Sequence, residues 1–171
     1  MEIKKVLLVG AAFAFGYGFG TVAFATDVPV TGNVQMRCLI TTDTAGVYGN
    51  PAPQKLSTAV ADGGVLPVVR YDVTLADNYI AKITTPTSFS SSPALNDTVT
   101  WTGSTLVSQT SDAGMSGYEA AKVAYDSTTE YDLTVAGSTW FTATLSATNG
   151  YDKSFPGGNY TAIVIAECIA K

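Results

Sequence analysis

The sequence has no histidine among its 171 residues. That absence removes the Ser-His-Asp and Cys-His arrangements of nucleophilic catalysis, and with them the commonest metal ligand. Charge is also scarce. Asp, Glu, Lys and Arg make up 13% of the chain, about half the usual share of roughly 25%. The formal net charge is −5 and no basic cluster occurs, which argues against nucleic acid as a partner. Only two cysteines are present, Cys38 and Cys168, too far apart to read as a zinc site. No Ser-x-x-Lys occurs beyond residue 25, and no glycine-rich phosphate loop follows a strand pattern. Neither an enzyme nor a bound cofactor or metal is expected. Uncharged Ser, Thr, Asn and Gly supply the polarity instead. Such a surface suits a β-rich extracellular protein, or one that packs against copies of itself.

The first residues read as a secretory signal peptide. Lys4 and Lys5 precede an apolar run from Val6 to about Phe19, and Ala23-Phe24-Ala25 forms a small-x-small processing site. The alternative is a retained membrane anchor, but Gly10, Gly16, Gly18 and Gly20 interrupt the run. Cleavage after Ala25 leaves 146 residues with 7 basic and 13 acidic side chains, a net charge of −6. That length supports one domain with a sizeable core. In an exported chain Cys38 and Cys168 are expected to form a disulfide.

What remains reads as strands and turns. Val28, Val30, Val34, Met36, Cys38 and Ile40 alternate with mostly polar neighbours, with Gly32 in step. Val69, Tyr71, Val73 and Leu75 alternate within 65–75, and Tyr79, Ala81 and Ile83 follow the same rule. The stretch "TVTWTGSTLVSQ" (98–109) reads as a hairpin turning at Thr102-Gly103-Ser104. "EYDLTVAG" (130–137), "TWFTATLSA" (139–147) and the terminal run 159–170 give further strands. Turn signals fall at Asp62-Gly63-Gly64, Ser90–Pro93, Ser111–Gly117 and Asn149–Gly158. "GYEAAKVAYD" (117–126) alone leans towards helix. Seven or eight short strands in this length predict an antiparallel sandwich of Greek-key type.

Candidate chemistry is thin. Asp126, Glu130 and Asp132 lie close together, and a strand would place Glu130 and Asp132 on one face. A glycosidase pair or a calcium site can be built this way, but a solvated strand face explains them more simply. Trp101, Trp140, Phe141 and several tyrosines can form a sugar-binding platform, although strands favour aromatics on their buried face.

The ends carry more information. "DVPVTGNVQMRC" (27–38) is an arm with alternating apolar residues, and "GGNYTAIVIAECIAK" (157–171) is an apolar strand with no later strand beside it. An unpaired strand edge is an association hazard. The arm of one molecule can fill that gap in the next, a head-to-tail contact that does not close and yields a fibre. The arm can equally fold back as the first strand of its own domain.

The segments "VPVTGNVQM", "VTWTGSTLVSQ", "GYEAAKVAY" and "PGGNYTAIVIAECIA" resemble the major pilins of alpha-clade chaperone–usher fimbriae, the group of the colonisation-factor and cable pili. The likeness covers most of the chain beyond residue 25. Pilins of the wider superfamily open their last strand with a Gly-x-Tyr pattern, here Gly158-Asn159-Tyr160. Two features depart from that clade: the cysteine pair, and Ala170 in place of an aromatic penultimate residue.

The resemblance implies an incomplete immunoglobulin-like β-sandwich lacking its last strand and completed by a donor strand from a neighbouring subunit. It divides the chain into a signal peptide (1–25), a donor arm (26–37) and a pilin domain (38–171). Donor residues would be Val28, Val30, Gly32, Val34 and Met36. Gly158, Tyr160, Ala162, Val164 and Ala166 would wall the acceptor groove. Partners would be other copies of the chain, a periplasmic chaperone and an outer-membrane usher. The product would be an extracellular, cell-surface fimbria for attachment to a host or abiotic surface, or for biofilm formation. The rival is a single-domain secreted adhesin or carbohydrate-binding sandwich. The Cys38–Cys168 bridge is expected within one subunit, its rival being a bridge between subunits.

Overall fold

The structure, a computed structural model, describes residues 37–150 and 153–171. The expected signal peptide and donor residues Val28, Val30, Gly32, Val34 and Met36 lie outside the described residues. The described residues belong to one compact unit, Gln35–Lys171. The fold is all-β: two antiparallel sheets, of six and four strands, face one another across a shared core.

The six-stranded sheet is organised by β9 (Gly137–Asn149). Strict alternation along β9 buries Thr139, Phe141, Ala143, Leu145, Ala147 and Asn149 and turns Trp140, Thr142, Thr144, Ser146 and Thr148 outwards. One edge of β9 carries β6 (Val99–Thr110) along its length. The other edge carries β4 (Val68–Val73) and then β3 (Lys55–Ser57). Thr58 bridges the junction between those two strands. Its Oγ1 accepts from the Leu145 amide (2.9 Å) and donates to the Ala143 carbonyl (3.4 Å). β1 (Cys38–Thr44) lies outside β4, and β2 (Gly49–Ala52) outside β3.

The four-stranded sheet has the order β10 (Ile165–Ala170), β5 (Tyr79–Thr84), β8 (Thr128–Leu133), β7 (Val123–Tyr125). Its inner face contributes Tyr79, Ala81, Ile83, Tyr131 and Leu133 to the core, where they meet Tyr71, Val73 and Phe141 of the larger sheet. The Phe141 ring packs edge-on to Tyr71 (5.4 Å between centroids) and against Tyr131 (4.5 Å). Both buried phenols are hydrogen-bonded: Tyr71 lies 3.1 Å from the Glu167 carbonyl and 3.3 Å from that of Lys82, and Tyr131 shares a hydrogen with Thr105 (3.1 Å).

Several sequence expectations need correction. The 98–109 stretch is not a hairpin. It lies within the 12-residue strand β6, and Thr102-Gly103-Ser104 pairs with Ser146, Leu145 and Thr144 of β9. The strand expected at 130–137 begins at Thr128 and ends at Leu133. Of the terminal run 159–170, only Ile165–Ala170 pairs as a strand; Thr161 makes an isolated bridge to Ser91. Trp140 lies outside the core, with Arg70 over its ring at 5.9 Å and its Nε1 donating to Asp43 (2.5 Å). The helical leaning at 117–126 yields one turn, α1 (Tyr118–Ala121), before β7.

Candidate functional site

An extended chain leaves main-chain donors and acceptors unused wherever a sheet stops, so the sheet edges are where a β-protein can be joined by another strand. Most edges here are blunted. Along β6, the Glu119 carboxylate of α1 accepts from the Val107 amide (2.9 Å), and Lys122 donates to the Thr105 carbonyl (3.0 Å) while pairing with Glu119. β7 has three residues. β2 has four and includes Pro51.

The remaining edges face each other. Among the described residues β1 pairs only with β4 and β10 only with β5, and the two run in opposite directions along one side of this unit. At one end of this seam a disulfide joins Cys38 to Cys168, with Cα atoms 6.4 Å apart. Away from the bridge the walls part. Among the described residues, Ala162–Val164 have no ladder partner.

Among the described residues, three cavities of about 250, 380 and 360 Å³ follow one another from the parted end of this seam. The first lies between Thr42–Gly46 on one wall and Ala162–Val164 on the other, floored by Val69, Leu145 and Pro67. It shares Gly46, Tyr48 and Ala162 with the second, which shares Leu56, Gly158 and Tyr160 with the third. Aromatic rings support the open half. Phe89 packs on Tyr48 (6.3 Å), Trp101 (4.6 Å), Phe155 (5.9 Å) and Tyr160 (5.0 Å). The main-chain reach from Thr161 to Ser90 and Ser91 anchors the same region.

The expected acceptor residues fall along this seam. Gly158 has φ +145°, a conformation that favours glycine, and a Cβ there would lie 2.6 Å from Pro93 Cγ. Tyr160 lines the second and third cavities and donates to the Pro156 carbonyl (2.5 Å). Ala162 and Val164 line the first cavity. Ala166 lies beyond the cavities, opposite Ile83 in the ladder and against the core. Ile163, Ile165 and Ile169 alternate with these residues and are exposed, and Ile163 also borders the first cavity.

The opposite wall was not foreseen from sequence: Thr42, Thr44–Gly46, Tyr48 and the floor residues Val69 and Leu145. "TAGVYGNP" (44–51) has the composition of a loop, so alternation gives no sign that Tyr48 points inward. The candidate carboxylates do not converge on a cavity. Glu130 accepts from Tyr125 (2.6 Å) and faces Lys82 across the ladder, Asp132 pairs with Lys171, and Asp126 sits in the turn after β7 with φ 49°.

In comparisons with known proteins, no family model, curated protein or solved structure matches this chain.

Proposed function

We propose that this chain is the structural subunit of an extracellular filament of the chaperone–usher type. In this reading the domain is an incomplete immunoglobulin-like sandwich, and the arm 26–37 of a neighbouring copy supplies the missing strand. The observation that carries the reading is the seam between β1 and β10, clamped at one end by Cys38–Cys168 and opening at the other into a row of cavities. An extended segment with apolar side chains on alternate residues matches the row of cavities that runs on from the parted ends of β1 and β10. The arm carries Val28, Val30, Val34 and Met36 in that alternation, with Gly32 in step, and this reading puts Gly32 where the fit is tightest.

Each aliphatic side chain moved from water into the groove contributes roughly 1.5–3 kcal/mol, and the main chain adds ladder hydrogen bonds. The contact is head-to-tail, so each added subunit presents a fresh arm and growth does not terminate. Before assembly the groove needs a substitute strand, and a periplasmic chaperone is the partner this reading requires. An outer-membrane usher would exchange that strand for the arm. The exported polymer then serves attachment or biofilm formation.

Deleting residues 26–36 tests the reading. The truncated chain is expected to fold, keep its disulfide and fail to polymerise, as judged by electron microscopy and sedimentation. Normal filaments from the truncated chain would overturn it.

A further inference from the structure

We infer that the Tyr48 hydroxyl donates a hydrogen bond to the main chain of the strand seated in the groove, and so sets that strand's register. The inference rests on the filament reading above and takes the N-terminal segment of a second copy as the occupant.

The local geometry aims the residue. Val47 is held in extended conformation by a two-way bridge to Val65, with N–O distances of 3.0 and 2.8 Å. Alternation then turns Val47 outwards and Tyr48 inwards. Its side chain stands where the first and second cavities meet.

The hydroxyl is enclosed and has no hydrogen-bond partner among the described residues. Five of the other described phenols contrast with it directly. Tyr71, Tyr118, Tyr125, Tyr131 and Tyr160 each reach a partner. Thr58, the neighbouring hydroxyl in the first cavity, is committed to Ala143 and Leu145. Burial also pushes the Tyr48 pKa up to about 12, so the group stays protonated and can donate.

An enclosed hydroxyl without a partner is destabilising, and an acceptor brought by an occupant relieves that cost. Carbonyls of an extended strand point to alternate sides. A slip of one residue would turn the carbonyl away from Tyr48 and turn the apolar side chains out of the groove. A single donor at the junction therefore reinforces one register.

The test compares the full chain with its Tyr48→Phe variant, using a fluorescent peptide of residues 26–37 as probe. Phenylalanine keeps the ring and removes the donor. The variant is expected to bind the peptide about fivefold more weakly, the effect of one net hydrogen bond. Its urea midpoint without peptide should be equal to or above that of the parent, because an unpartnered polar group has been removed. Equal peptide affinity, or weaker binding together with a lower urea midpoint, would overturn the inference while leaving the filament reading intact. Failure of the parent chain to bind the peptide while it also fails to form filaments would overturn the filament reading, and this inference with it.

Discussion

Gly103 has no side chain because Thr85 fills the space that one would need. A Cβ at this position would lie 2.3 Å from Thr85 Oγ1 and 2.6 Å from Thr85 Cβ. Thr85 has little room to yield: it is buried, and both its amide and its hydroxyl donate to the Ser127 carbonyl (2.8 and 3.0 Å). Gly103→Ala is therefore expected to cost about 1–3 kcal/mol through overpacking, read as a lower urea midpoint with an unchanged slope. An unchanged midpoint would show that the sheets can separate at this point. The same residue explains why the hairpin expectation failed. Glycine between Thr102 and Ser104 carries a turn signal, yet glycine within a strand equally marks a close approach. The approaching residue lies 18 positions earlier in the chain, just past the end of β5 in the other sheet, so local pattern cannot distinguish the two meanings. Tyr71, Val73, Ala81 and Ile83 were legible because their alternation repeats over several residues and their burial follows from it. Tyr48 was not legible, because its direction depends on the bridge from Val47 to Val65 and on cavities that exist only once the sheets have met.

At the level of elements, the contrast between guarded and open edges organises the molecule. The one-turn helix α1 contributes little hydrophobic packing beyond Tyr118, but its Glu119 and Lys122 cover the main chain of β6 where the register shifts between Val107 and Gln109. The helical leaning of 117–126 was visible in sequence. Its use as an edge guard was not, because that requires knowing that β6 is one strand whose outer edge faces α1. Replacing Glu119 and Lys122 together by alanine, in the chain lacking residues 26–36, should leave the Val107 amide and the Thr105 carbonyl without these partners. The expected result is concentration-dependent side-by-side association in sedimentation, where the truncated parent stays monomeric, with a loss of about 1–3 kcal/mol in stability. A monomeric double variant would mean that the bulge alone protects this edge. By contrast, the final strand was readable as apolar and β-forming from Ile, Val and Thr. What shortens it to Ile165–Ala170 is the length of its partner: β5 ends at Thr84, which pairs with Ile165, and the chain before that point has only the bridge from Thr161 to Ser91.

On the scale of the whole molecule, the Cys38–Cys168 bridge links the sheets on the side where no ladder crosses between them. It joins residues 130 apart in sequence, and closing so long a loop in the unfolded chain is worth on the order of 4–5 kcal/mol in the chain-entropy account. The sequence suggested the pair because export favours oxidation and because an incomplete sandwich brings the start of its first strand beside the end of its last. The structure places both cysteines within one subunit and opposite the cavity end of the seam. The seam is thus closed at a covalent point and open at its other end. If such subunits polymerise through non-covalent strand insertion, boiling the filaments in detergent without reductant should release single subunits. Those subunits should migrate faster than reduced ones, because the bridge keeps the denatured chain compact. A ladder of multimers that collapses only on adding reductant would instead show that the cysteines pair between subunits in the assembled filament. Replacing both cysteines by serine supplies the energetic half of the test. The urea midpoint should fall by an amount corresponding to about 4 kcal/mol, and the peptide 26–37 should bind more weakly, since the two groove walls would no longer be held at their common end. A double-serine variant with the parent's stability and peptide affinity would show that β4, β5 and the core alone hold the seam in position.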